Sequence, residues 1–270
     1  FTDGTVANTV ELLDVGDATT SSSVAPIPLA NGLLFFLYLP DTGWEPWFTD
    51  GTPAGTRILE VAPGAAGMNG WGIEQAPVRV DDDVYIAVGT SALTFELWRT
   101  DGTVEGTTLV REFEAGIAFG EYHLLGFSPV PNGLLLSPLT EESGRELWFT
   151  DGTRAGTRLL QDIAPGALSS SSSVYAAHHI AVTPRVVYTY ADDTTTGLEL
   201  WAARIEDLGL PCRGDCDGNS AVTVDELIGG VHARLSQASL PQCPLLDRDS
   251  SGTVSAAELR TAIRTALRGC

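Results

Sequence analysis

The chain contains no lysine, and its first 211 residues contain no cysteine. All 15 basic residues are arginines, set against 35 acids, for a net charge of −20. Residues 1–206 carry 27 of the acids and 9 of the arginines, so the imbalance is concentrated there. A surface this short of positive charge repels phosphate backbones, which argues against nucleic acid and for divalent cations or basic partners. No run reaches the ~18 apolar residues that a membrane-crossing helix needs. No export signal is visible, but Phe1 falls inside a repeat unit, so the sequence reads as a processed product or a piece of a longer precursor. Catalytic signatures are missing too: there is no Gly-x-Ser-x-Gly, no phosphate loop and no dinucleotide fingerprint. The four histidines, His123, His178, His179 and His232, read as surface or packing residues. Carboxylates abound without any one pair standing out for glycoside hydrolysis. The expectation is a protein that is not an enzyme.

The four cysteines, Cys212, Cys216, Cys243 and Cys270, sit together in the last sixty residues. An even number confined to a small segment reads as disulfide staples formed in an oxidising compartment. A tetrahedral zinc site is the rival, but the spacing lacks the second close pair that a zinc ribbon uses. Which cysteine pairs with which stays open at this point.

What the chain does have is a phrase. Thr-Asp-Gly-Thr occurs at residues 2–5, 49–52, 100–103 and 150–153, with the aspartates 47, 51 and 50 residues apart. A period near fifty with strand-like content is the signature of a propeller or another repeat array. A tryptophan precedes the phrase (Trp47, Trp98, Trp148), and Glu-Leu-Trp recurs at 199–201. Gly-Thr follows the phrase after two free residues, except that the first copy has Asn8-Thr9. Asparagine tolerates positive φ best after glycine, so the substitution predicts a left-handed backbone at this Gly-Thr glycine. Apolar strands are predicted next, at 10–15, 57–61, 108–113 and 158–163, each hairpinned to the tryptophan strand by the Asp-Gly turn. Two further strands complete each unit: 25–29 with 33–39, 76–80 with 84–88, 126–130 with 134–138, and 179–182 with 186–190. Four short strands per repeat is the make-up of a propeller blade. Asp3, Asp50, Asp101 and Asp151 read as turn caps rather than metal ligands, because Asp-Gly is the strongest hairpin signal. The tryptophans read as packing between blades. After Trp201 the phrase is missing, and residues 1–5 could supply it, with strand 10–15 closing a four-bladed ring beside 198–205 or inserting into a neighbouring subunit.

Residues 145–157, Arg-Glu-Leu-Trp-Phe-Thr-Asp-Gly-Thr-Arg-Ala-Gly-Thr, resemble the bacterial Glu-Leu-Trp-x-x-Asp-Gly-Thr-x-x-Gly-Thr repeats, also described as hyalin-like or propeller-like, and the resemblance covers about 1–206. It implies a secreted or surface location and a repeat architecture more than any activity.

The sharpest site lies behind the repeats. Asp215, Asp217, Asn219, Thr223 and Glu226 stand at positions 1, 3, 5, 9 and 12 of a loop, with the Ala221 carbonyl at 7. Asp247, Asp249, Ser251, Thr253, Ser255 and Glu258 repeat the pattern 32 residues later. Hard oxygen donors at these intervals form the calcium-loop pattern. The second loop has Gly252 at position 6, where the first has Ser220. Val222 and Val254 share position 8, predicting a short strand between the loops. Each loop runs into a predicted helix, 224–235 and 256–267, and Leu259, Ile263 and Leu267 form one stripe on the second. With no entering helix before Asp215, the segment from about 212 to 270 resembles a dockerin, or a paired EF-hand module at the end of a secreted bacterial protein. The resemblance implies two Ca²⁺ sites. Three carboxylates per loop predict affinity on the order of 10⁻⁴ M or weaker.

The sequence therefore predicts a mainly β chain with two domains. Residues 1–206 form a β-propeller of about four blades of four antiparallel strands. Residues 207–270 form a small, disulfide-braced helical module. The expected role is a secreted or cell-surface calcium-binding protein of adhesion or of an extracellular filament. It would engage a protein partner, or its own copies, through the module or the N-terminal strand. The alternative is a carbohydrate-binding or glycosidase-like propeller that takes a surface glycan.

Overall fold

The computed structural model describes residues 9–15, 25–61, 73–90, 94–114, 124–170, 180–219, 221–236, 243, 245–247 and 252–268. Among the described residues the chain is mainly β, with four antiparallel sheets and two α-helices. It divides into two compact units, one of Phe1–Leu125 with Pro138–Gly144 and one of Gly126–Ser137 with Arg145–Cys270.

The first unit holds two four-stranded sheets. Sheet 1 comprises β1 (Ile27–Leu29), β2 (Gly32–Leu39), β3 (Gly43–Thr49) and β4 (Arg57–Ile58). Sheet 2 comprises β5 (Ile73–Val80), β6 (Asp83–Gly89), β7 (Thr94–Thr100) and β8 (Thr108–Glu114). Every strand pairs with the next in sequence. Alternating apolar residues from both sheets meet in one core, where Leu34, Phe36, Phe48, Leu59, Val84 and Ile86 are all 2% exposed or less. Each such burial is worth about 1.5–3 kcal/mol.

Most of sheet 3 and all of sheet 4 fall in the second unit. Sheet 3 comprises β9 (Leu124–Val130), β10 (Gly133–Thr140), β11 (Gly144–Arg145), β12 (Leu147–Thr150) and β13 (Arg158–Gln161). Its fifth strand arises because the tryptophan strand breaks at Glu146 into β11 and β12. Sheet 4 comprises only β14 (Ile180–Val182), β15 (Val186–Asp192) and β16 (Leu198–Arg204). Leu135, Leu147, Phe149, Ile180, Val187 and Ile205 join the two sheets. Then follow a 3-10 turn (Ile205–Leu208), α1 (Val224–Ser236) and α2 (Ala256–Arg268). Thr265 on α2 donates to Asn132 Oδ1 at 2.9 Å, seating the helix on the β9–β10 turn.

The repeat phrase is a hydrogen-bonded turn in each of its described copies. Asp101 Oδ1 accepts the Thr103 N–H at 2.9 Å and its hydroxyl at 2.7 Å. The hydroxyls of Thr100 and Thr107 meet at 2.7 Å across the turn. The copies at Asp50 and Asp151 repeat these contacts within about 0.1 Å. The aspartates therefore act as caps, as their Asp-Gly context predicts; Asp3 lies outside the described residues. The strand register repeats as well, since Trp47 faces Ile58, Trp98 faces Leu109 and Trp148 faces Leu159. Trp47 and Trp148 are 8% and 6% exposed, which fits the packing role, whereas Trp201 is 38% exposed.

Three expectations need correction. The left-handed glycines are Gly51, Gly102 and Gly152 of the phrase itself, with φ of 92°, 89° and 87°. Gly55, Gly106 and Gly156 are not left-handed; a side chain is excluded there because a Cβ would run into the capping carboxylate of Asp50, Asp101 or Asp151. Asn8 lies outside the described residues. Residues 9–15 form no strand, and β16 ends its sheet among the described residues. On α2 Thr261, Ala262 and Thr265 are buried and Leu259 packs against the module core, while Ile263 and Leu267 are exposed. No strand joins the loops at position 8: Val254 is buried in the module core, but the neighbouring Thr223 and Ser255 N–H groups go to Glu226 and Glu258.

The turn yields a direct prediction. Gly106→Ala must push the Asp101 carboxylate off Thr103, at a cost of about 1–3 kcal/mol. Denaturant unfolding of Gly106→Ala beside a control Ala substitution at exposed Glu105 measures this; equal midpoints would contradict it.

The glutamate of Glu-Leu-Trp has a structural role that the sequence did not disclose. Glu146 is 1% exposed, and its carboxylate accepts the N–H groups of Ile163 (3.1 Å), Ala164 (2.9 Å) and Ser170 (3.2 Å). Glu45, fully buried, takes the Val61 N–H at 2.9 Å. Both carboxylates satisfy loop backbone that has no ladder partner.

Candidate metal centre

The loop from Asp215 to Glu226 is built by short-range hydrogen bonds and pinned at both ends. The Cys216–Cys243 disulfide (S–S 2.07 Å) anchors loop position 2 to the module core of Ala233, Leu246, Val254 and Ala262. Cys212 is disulfide-bonded as well. This oxidation excludes a four-thiolate zinc site. Cross-linking across 27 residues restricts the unfolded chain by about 3.5 kcal/mol.

Within the loop, Asp215 is 5% exposed, and its Oδ1 accepts the N–H groups of Gly218 (2.7 Å) and Asn219 (3.2 Å). Asp217 accepts from Asn219 through both its oxygens, and Asn219 Oδ1 accepts the Ala221 N–H at 2.9 Å. Glu226 closes the loop from the first turn of α1. Its Oε1 accepts the Cys216 N–H at 2.6 Å, and its Oε2 accepts the Thr223 N–H at 2.6 Å and hydroxyl at 2.8 Å. The result is that one carboxylate oxygen each from Asp215, Asp217 and Glu226 lies within 4.8 Å of the others. Asp215 is buried, Glu226 half-buried and Asp217 exposed, so the cluster opens to solvent on one side. Three convergent carboxylates without nitrogen or thiolate can hold a metal ion, and their chemistry suits a hard cation.

Opposing influences act on Glu226. Desolvation raises its pKa, but donation from the Thr223 and Cys216 N–H groups outweighs that and holds it below the ordinary 4.5. Glu226 therefore keeps its charge further into acid than a free glutamate would. Stability from this group is complete above 4.5 and is lost as pH falls through the depressed value.

Thr223 and Glu226 also form a reciprocal capping box, since the Glu226 N–H lies 3.4 Å from Thr223 Oγ1. Ser255 and Glu258 do the same on α2, at 3.2 and 2.7 Å. The signature Ser/Thr-x-x-Glu is plain in the sequence but was not read there. In the second loop Asp247 Oδ2 accepts the Gly252 N–H at 2.8 Å, and Gly252 has φ +82°, the turn expected at position 6. In the first loop the left-handed turn falls on Gly218 at position 4. Thr253 is exposed, and Ser255 and Glu258 are half-buried. Asp249, Ser251 and Ser220 lie outside the described residues, as do Cys270, His123, His178 and His179. His232 is exposed on α1.

No protein-family model matches the chain, and no curated protein is similar to it. Function is therefore argued from the site.

Proposed function

We propose that the chain is a secreted or cell-surface, non-catalytic calcium-binding protein, in which a propeller-like scaffold carries an attachment module. The observation that carries this is the convergence of Asp215, Asp217 and Glu226, in a loop whose pattern recurs 32 residues later at Asp247–Glu258. Asp215, Asp217, Asn219, the Ala221 carbonyl, Thr223 and Glu226 would hold one Ca²⁺. Asp247, Asp249, Ser251, the Thr253 carbonyl, Ser255 and Glu258 would hold a second, making the module a dockerin-like EF-hand pair. Bound calcium supplies only charge neutralisation and order. The four sheets would serve as blades, and their shared turn matches the Glu-Leu-Trp-x-x-Asp-Gly-Thr repeats. Disulfides favour a non-reducing compartment.

The attachment role draws on an apolar stripe that the module leaves in solvent. Val224, Ile228, Val231 and Leu235 follow one another at four, three and four residues along α1 and are 70%, 60%, 40% and 80% exposed. Contiguous exposed apolar surface marks a contact site. A protein partner or another copy would cover it, and the edge of β16 offers a second route to assembly by strand addition. Calorimetric titration of the calcium-stripped protein should find two sites near 10⁻⁴ M. Absence of heat at millimolar Ca²⁺ would end this reading.

One observation favours carbohydrate binding as a second reading. Trp201 lines a groove of about 680 Å³ together with Gln161, Asp162 and Thr189, an aromatic-plus-polar lining suited to a sugar. A glycan array separates the two, since the scaffold reading expects no hits.

A further inference from the structure

A cleft of about 580 Å³ lies where the Asp151 turn meets the segment leading into the metal loops, and three of the chain's fifteen arginines line it: Arg154, Arg158 and Arg213. In a chain of net charge −20 without lysine, such a concentration calls for a reason. Arg213 is 6% exposed, and its Nη2 donates to the Asp151 carbonyl. Arg158 Nη2 donates to the carbonyls of Leu208 (3.0 Å) and Gly209 (2.8 Å). Two guanidinium groups are thus held in place by neutral acceptors.

None of the three arginines forms an ion pair among the described residues. The carboxylate of Asp151, which also lines the cleft, is turned onto Thr153, accepting its N–H at 2.8 Å and its hydroxyl at 2.7 Å. Asp247 accepts from Gly252 within its own loop. A buried cation without a counter-charge is costly. Each guanidinium presents five N–H donors, and the backbone carbonyls occupy only Nη2 of Arg158 and Arg213. The remaining donors form a fork suited to a two-oxygen acceptor.

We infer that this cleft binds a small oxyanion, a sulfate or carboxylate group either free or carried on a sugar-sized molecule. The volume exceeds that of a bare ion and falls within the range of small-ligand sites. Arg213 is buried, Arg158 half-buried, and Arg154, exposed, adds charge without supporting the fold.

Calorimetry with inorganic sulfate, galacturonate and neutral galactose tests this, in buffer freed of divalent cations by a chelating resin so that the calcium loops play no part. Sulfate and galacturonate should bind while galactose does not. Arg158→Gln and Arg154→Ala should each raise the Kd for sulfate, by about tenfold and about threefold. Galacturonate tighter than sulfate identifies a sugar-borne carboxylate; equal affinities identify the ion alone. Thermal melting of Arg154→Ala should match wild type, which separates lost binding from lost folding. No anion binding at 10-millimolar order, or unchanged affinity in both variants, overturns the proposal.

Discussion

Glu226→Gln should cost the first loop about two orders of magnitude in calcium affinity while leaving α1 folded, and Glu258→Gln should do the same to the second loop. The two roles of this side chain can be separated because they need different things. A capping box works with Gln as well as Glu, since either offers an oxygen to the N-cap N–H. The Thr223 N–H, 2.6 Å from Oε2, therefore keeps an acceptor in the variant. A hard-cation site depends on ligand charge, and the cluster has only three carboxylates, so losing one is severe. Thr223→Ala removes the neutral ligand at loop position 9 together with the helix cap, so it should lower calcium affinity less than Glu226→Gln while weakening the helix start by about 1 kcal/mol. Calcium titration combined with far-ultraviolet circular dichroism resolves both effects. Wild-type affinity in the Glu226→Gln, Glu258→Gln double variant would refute the calcium reading.

Glu146→Ala should destabilise the second unit by about 2 kcal/mol, because the Ile163 and Ala164 N–H groups lose their acceptor, while the Ser170 N–H keeps the Arg145 carbonyl at 3.1 Å. The glutamate also writes a pH dependence into that unit. Burial is the largest influence on its carboxyl and raises the pKa above the ordinary 4.5, against the pull of the Ala164, Ile163 and Ser170 donors. The folded state thus binds the proton more tightly than the unfolded chain does. The stability this confers is full below about 4.5 and declines as pH rises through the raised value. Glu146→Gln, which cannot ionise, should flatten that decline. Urea unfolding from pH 4 to 8 measures it, and parallel profiles for wild type and Glu146→Gln would show that another group is responsible.

The repeat made the fold legible. Its period placed the strands, and β2, β6, β10 and β15 fall where turn residues such as Asn132-Gly133 bracket apolar runs. Both helices were legible too, since each follows a loop ending in Glu226 or Glu258. Packing was less so. The stripe of Leu259, Ile263 and Leu267 is visible in the sequence, but periodicity does not say which side meets a neighbour. Leu259 packs against the module core, whereas Thr261, Ala262 and Thr265 are buried and Ile263 and Leu267 are exposed. The role of Glu146 was hidden because its donors lie 17 to 24 residues away, in loops without a pattern of their own. The arginine cleft was hidden for the same reason: Arg213 reaches Asp151 across 62 residues.

Sheets 1, 2 and 4 are meanders whose strands bond to their immediate successors, and in sheet 3 β10 bonds to β9 and to both halves of the broken tryptophan strand. Such local wiring keeps loop-closure entropy small and shortens the search for native contacts. A nascent chain leaving a narrow exit could complete each module in turn, with little need for distant segments to arrive. Gain or loss of whole modules would then leave the survivors intact, as in other linear arrays.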